Sequence, residues 1–496
     1  MKKLDDIFNN QFIVFLLLLL IAALCFYPSF SNLNFFWDDE RFIFFNPRFM
    51  DATSWIDFWN IKSLYYKSWP LGYSFFWLLV KFLNVNNTIV FKSINIIIHS
   101  INAFLLFKIF SKLKFHFPFI LSLIFLLHPL NVESVSWIFQ VLTILSLTFF
   151  LLSIVFLVRF LKDQKKINIL WSFLFFAASV TTKSIAILAP FLFLIYFIMN
   201  KEKWKNYTLL IPFFFLSALL GLINQKGTED LLRVKNSPIS NYIQKMRADD
   251  ETNNLNMKEK EKSNTIEMQA REDLFNFTFL RKKADPIIFD RATVFAQALP
   301  HYVSMLILPL HQQFIYESKN SSLAAAIILA LLIVAIFIIL YKKYNDITFV
   351  HLLIYFIIFI IPFLGITLIS FYYWSNVSDR YTYFLIPGIA FFIGLLYTKM
   401  PRVWFKKAIF CYALILGILT INYGIKFNSP LALYQEIILY KKHPVIYSSL
   451  FEQYLIRGDL KNSSKILHEG IKEFPNDELL KGDVMRLEGL KSIYEK

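Results

Sequence analysis

Apolar runs long enough to cross a bilayer recur along this 496-residue chain, and that recurrence fixes the fold class before any motif is considered. Hydrocarbon offers no partner to a backbone N–H or C=O, so each run must close its hydrogen bonds internally, as a helix. Spans are expected near 12–30, 87–108, 116–129, 137–159, 168–182, 184–199, 206–224, 322–341, 347–370, 383–397 and 408–425. That makes roughly eleven. The third, fifth and sixth are short, which is tolerable where protein rather than lipid surrounds them. The chain is 57% hydrophobic with a mean hydropathy of +0.52, outside the range of ordinary soluble domains. The expected class is therefore an all-α polytopic membrane protein. Cys25 and Cys411 both lie inside apolar runs, so neither a disulfide nor a metal framework is expected.

The connecting segments orient the spans. "KIFSKLKFHF", "RFLKDQKK", "NKEKWK", "YKKYND" and "TKMPRVWFKK" are basic, whereas the short loops between them, "HPLNVESVS" and "YYWSNVSDRY", hold a single Arg. By the positive-inside rule the basic loops are cytoplasmic, with the N-terminus inside as an uncleaved signal anchor and the C-terminus outside. This scheme treats 296–310, bounded by Pro300 and Pro309, as a re-entrant or interfacial helix; counting it as a span would reverse everything after it. The net charge of +16 then belongs to cytoplasmic loops and anionic lipid headgroups, not to nucleic acid.

Three segments are placed outside: 31–86, 225–321 with a charged insert at 226–285, and the tail beyond a membrane domain of 1–430. The tail, 431–496, is expected to hold a helical hairpin of tetratricopeptide type around Gly458–Asp459.

The first outer segment carries "NFFWDDERFIFFNPRF", with Asp38, Asp39 and Glu40 in a row between aromatic residues. Either an Asp caps a short interfacial helix, or a carboxylate acts as general base in a partly enclosed cleft. Activated nucleotide sugars are cytoplasmic, so sugar transfer on the outer face requires a lipid-linked donor with its phosphate at headgroup depth. Such a site needs a base for the acceptor hydroxyl and cations for the departing phosphate. Lys183 and Arg380 are the candidate cations; a snorkelling lysine and an Arg380–Asp379 surface pair are the alternatives. His128 and Glu133 lie in the "HPLNVESVSW" loop, where a polar turn at Pro129 explains them equally well. Asn95 and His99, one turn apart in the second span, point to interhelical hydrogen bonds. His301, alone beside Pro300, carries little weight.

These pieces together resemble the polytopic glycosyltransferases of the GT-C superfamily, and within it the tetratricopeptide-repeat transmembrane O-mannosyltransferases and their bacterial relatives. The resemblance runs in order over most of 10–430: "FFWDDERFIFFNPRF", "SWPLGYSFF" with "NIIIHSIN", and most specifically "HPLNVESVSW" and "SDRYTYFLIPGIAF". "TTKSIAILAPFLFLIY" and "ALPHYVSMLILPLHQQFIY" match more weakly. The resemblance implies an all-α GT-C membrane fold in a bacterial inner membrane, with its cleft open to the periplasm. It also implies inverting transfer from a polyprenyl-phosphate sugar to a protein or glycan, with no cofactor and with metal dependence left open. Asp39 or Asp38 would be the base. Arg380 and Lys183 would face the donor phosphate. Glu40, His128, Glu133 and Asp379 would line the cleft or orient the acceptor. A protein partner at the tail is a further expectation.

The chain also departs from that pattern. A charged cluster usual after the Trp of the "HP" loop is replaced by "QVLT", Gln140–Thr143, and a basic residue usual in the first loop by Trp69. Two other functions therefore stand beside the first. One is a non-catalytic membrane scaffold with a partner-binding tail. The other is a lipid-linked polysaccharide ligase or transporter that uses Arg281, Lys282, Lys283 and Arg291 of the large outer loop.

Overall fold

The structure, a computed structural model, describes residues 10–31, 39, 49, 52–60, 69–83, 87–233, 290–316, 321–367, 369, 371, 375–427 and 429–494. These are helical with irregular connections, and there is no strand among them. The chain divides into two compact units: Met1–Phe35 with Thr53–Thr228 and Phe289–Asn428, and Phe36–Ala52 with Glu229–Ile288 and Ser429–Lys496.

The α-helices of six or more residues that begin in the first unit are α1 (Gln11–Phe26), α2 (Pro70–Trp77), α3 (Thr88–Lys112), α4 (Pro118–Leu126), α5 (Asn131–Ser136), α6 (Val141–Asp163), α7 (Lys166–Thr182), α8 (Ala189–Met199), α9 (Ile211–Arg233), α10 (Arg291–Ile307), α11 (Leu323–Tyr344), α12 (Thr348–Ile360), α13 (Ile386–Lys399) and α14 (Val403–Lys426). Six helical stretches are long and apolar enough to cross a membrane: Gln11–Phe30, Thr88–Lys112, Ile138–Asp163, Trp204–Gln225, Leu323–Tyr344 and Val403–Lys426. Four shorter apolar helices, Lys166–Thr182, Ser184–Met199, Thr348–Phe363 and Ile386–Lys399, pack among them. Of the apolar stretch of Ile138–Asp163, 61% is buried, against 11% for that of Leu323–Tyr344, so the former is the more central and the latter the more peripheral.

Polar side chains join the central helices, as they must where every helix face is apolar. α6 and α7 form an antiparallel hairpin that reverses at Gln164, in the left-handed conformation at φ 56°. Along it the Ser146 hydroxyl donates to the Ser179 carbonyl (3.0 Å) and Ser179 returns the bond (2.8 Å). Two turns further on, Ser153 and Ser172 repeat the exchange at 2.8 and 3.0 Å. Small residues let the two backbones approach this closely. On α3, Asn95, His99 and Asn102 share one buried face. Asn95 Nδ2 donates to the Val135 and Trp137 carbonyls at 3.1 and 3.0 Å. His99 Nε2 contacts the Leu126 carbonyl at 3.0 Å, an acceptor, so Nδ1 must accept from the Tyr383 hydroxyl at 2.7 Å. The interhelical role expected for Asn95 and His99 is what they perform.

α4 is short because its ends are fixed: Phe117, left-handed at φ 58°, precedes Pro118 at the first helical position, and Pro129 follows. Leu121, Ile124, Phe125 and Leu126 are at most 1% exposed, so protein encloses it. α2 lies against the end of α7 at Gly72, where an added Cβ would stand 2.7 Å from the Thr182 carbonyl oxygen and 2.9 Å from Leu142 Cδ2. Gly72→Ala is therefore expected to destabilise by about 1–3 kcal/mol, the usual cost of overpacking. Unfolding in mixed micelles checks this, and an unchanged midpoint would refute the close contact.

In the second unit, α15 (Pro430–Tyr440), α16 (Pro444–Ile456), α17 (Leu460–Glu473) and α18 (Glu478–Tyr494) follow one another. Gly458, at φ +73°, reverses the chain between α16 and α17, and Asp459 caps α17 by accepting from Asn462 N at 3.0 Å. Their apolar faces meet in a core of Tyr447, Phe451, Leu467, Leu480 and Leu487.

Candidate functional site

The two most specific sequence motifs come together in the first unit. "HPLNVESVSW" forms a turn and then α5, all six residues of which are buried. "SDRYTYF" forms a 3-10 helix at Asp379–Thr382 that packs against α5. The Glu133 carboxylate is fully buried and ion-paired with Arg380 through Oε1 and Nη1. Its Oε2 accepts from Arg380 N at 3.0 Å, and the Ser378 hydroxyl sits 3.1 Å from both oxygens. Burial pushes the Glu133 carboxyl up, the Arg380 charge opposes this, and nearby Asp379 adds to it.

Aromatic rings surround the Arg380 guanidinium. Its Cζ is 4.0 Å from the Phe371 ring centroid and 5.0 Å from those of Trp137 and Tyr381. Arg380 is 5% exposed and pairs with Glu133 across 247 residues of chain. The surface pair with Asp379 considered from sequence is thus replaced by a buried one. Neighbours on a 3-10 turn point apart, and Asp379 turns instead to Tyr316, whose hydroxyl donates to its Oδ1 at 2.7 Å. Burial, reinforced by the Asp379 charge, pushes the Tyr316 phenol well above its ordinary value, so Tyr316 keeps its proton and remains a donor. His301 Nε2 stands 3.8 Å from the same Asp379 oxygen. His301, Tyr302, Tyr316 and Ser378 were not singled out as site residues from sequence. Tyr302 OH accepts from Ser378 N at 3.2 Å and so fixes the turn that carries Asp379 and Arg380.

Lys183 follows α7, and its Nζ donates to Gln140 Oε1 (2.7 Å) and Thr143 Oγ1 (2.6 Å). These partners are the ends of "QVLT", the stretch that stands where the resemblance leads one to expect charges. The Trp69 ring centroid is 5.5 Å from Nζ, and Trp69 Nε1 donates to Ser184 Oγ at 3.1 Å. Lys183 is therefore held in place, which the snorkelling alternative did not foresee.

His128 is fully buried between protein groups. Its Nδ1 accepts from Leu130 N at 3.4 Å, closing the turn at Pro129, and its Nε2 faces the Leu306 carbonyl at 3.3 Å. Asp39 belongs to the second unit; it has helical backbone and is 2% exposed. Asp38 and Glu40 lie outside the described residues, as do Arg281, Lys282 and Lys283. Among the described residues no group of three or more His, Cys, Asp or Glu is arranged as metal ligands.

No family model matches the chain, and it matches neither a curated protein nor a solved structure.

Proposed function

We propose that the chain is a membrane glycosyltransferase of GT-C type, transferring a sugar with inversion from a polyprenyl-phosphate donor to a protein or glycan at the periplasmic face of a bacterial inner membrane. The observation that supports this best is the meeting of Glu133 with Ser378, Asp379 and Arg380. These residues come from the two motifs that most resemble the family, and nothing local in the chain requires them to meet. A guanidinium fixed by a carboxylate and by rings is a preorganised cation, and a cation is what stabilising a departing phosphate requires. Lys183, set by Gln140, Thr143 and Trp69, is a second positioned cation. In this reading the roughly eleven spans are the six long apolar helices, the four shorter ones and Pro118–Leu126. Asp38 and Asp39 supply the base, and the tail faces the periplasm.

The test uses purified full-length protein in phospholipid vesicles, offered polyprenyl phosphate carrying radiolabelled glucose, mannose or N-acetylglucosamine, together with a periplasmic protein extract as acceptor. Label should pass from lipid to acceptor and polyprenyl phosphate should accumulate. If the protein neither binds nor consumes any of these donors, the proposal fails and the scaffold reading takes its place.

A further inference from the structure

Two polar atoms beside the Glu133–Arg380 ion pair have no hydrogen-bond partner among the described residues. Asp379 Oδ1 is occupied by the Tyr316 hydroxyl, but Oδ2 is buried and has no hydrogen-bond partner among the described residues. His301 Nε2 is likewise buried and unpartnered, and at 3.8 Å from Asp379 Oδ1 it is too far for a hydrogen bond. A lone buried polar atom costs free energy, so two on neighbouring side chains call for an explanation. The side chains are not free to drift together. Tyr316 holds Asp379, and its ring meets the His301 ring edge-on with centroids 4.3 Å apart. The Asp379 side chain is fully buried, whereas that of His301 keeps 17% exposure, so the pair has one enclosed member and one partly exposed.

A carboxylate oxygen accepts hydrogen bonds, and an imidazole nitrogen can donate one. A hydroxyl donates to the first while accepting from the second, and a sugar carries several. We propose that Asp379 and His301, oriented by Tyr316, bind a hydroxyl of the donor sugar. This rests on the glycosyltransferase reading and adds a sugar subsite to it. The donor's sugar, rather than the acceptor, is its occupant because Asp379 and Arg380 are consecutive. Their Cα atoms are therefore about 3.8 Å apart. In the glycosyltransferase reading Arg380 faces the donor phosphate, so the sugar bonded directly to that phosphate is the hydroxyl-bearing group nearest the turn that carries Asp379.

The experiment compares binding of two lipids to the full-length protein in vesicles: polyprenyl phosphate carrying glucose, mannose or N-acetylglucosamine, and sugar-free polyprenyl phosphate. The proteins are the wild type, His301→Ala and Asp379→Asn. A hydrogen bond to a charged group predicts that each variant loses about tenfold or more in affinity for the glycosylated lipid bound best by the wild type. Affinity for the sugar-free lipid should stay unchanged. Equal losses for both lipids, or no loss for either, would overturn the subsite while leaving the glycosyltransferase reading intact. A wild type that binds neither lipid overturns both. His301→Ala guards against misfolding, because it truncates a partly exposed ring and leaves the Tyr316–Asp379 bond in place.

Discussion

Glu133→Ala is expected to cost about 3–5 kcal/mol of stability, the range for removing one partner of a buried ion pair. The cost comes less from the lost attraction than from what is left behind. Arg380, 5% exposed, would keep its charge without its carboxylate. The Ser378 hydroxyl and the Arg380 amide would both lose their acceptor. Glu133→Gln retains the shape and one acceptor oxygen, so a smaller loss is expected. Arg380→Lys should rescue little, because an ammonium is a point charge and cannot stack its plane among Trp137, Phe371 and Tyr381 as a guanidinium does. Replacing both residues with apolar ones of similar volume should recover much of the loss. Unfolding in mixed micelles, run as a double-mutant cycle, separates these terms. A Glu133→Ala protein as stable as the wild type would show that the pair contributes nothing to the fold.

The same pair marks the limit of what the sequence discloses. Glu133 is visible as the one acid of its short loop and Arg380 as the one cation of its own. Their partnership is not visible, because 247 residues separate them and sequence alone offers Arg380 the adjacent Asp379 as the simplest partner. Asn95 and His99 were legible because a polar residue on an apolar helix has few fates besides an interhelical hydrogen bond. Gln140 and Thr143 were legible as a missing charge but not as what they are, since neutral acceptors for Lys183 leave no trace in a charge pattern. His301 drew no weight as a single histidine between a proline and a tyrosine. It matters because α10 and the segment ending at Tyr316 both reach the Asp379 turn, and that is a property of the fold. Apolar runs were the most legible feature, since composition alone dictates helix there. Helix ends were less so: α4 covers Pro118–Leu126 within an expected 116–129, because Phe117 and Pro129 fix its limits.

The acids at 38–40 yield the other large effect. Asp38→Asn together with Asp39→Asn is expected to reduce sugar transfer by about 10²- to 10⁴-fold, the usual contribution of a positioned general base, while donor binding persists. Asparagine is chosen because it separates the two explanations of these residues. As a helix cap, Asn is about as good as Asp, since either side chain offers an oxygen to the first amides of the helix. A capping role therefore predicts nearly unchanged stability and full transfer. A base cannot be replaced this way, because an amide does not take up the proton of an attacking hydroxyl. Asp39 is 2% exposed, and a carboxylate withdrawn this far from water is costly unless its surroundings favour the charge. A base role predicts that transfer is lost while the fold is retained. Transfer by the double variant at the wild-type rate would remove both acids from the chemistry. Loss of stability and of transfer together would show that they hold the structure rather than the proton.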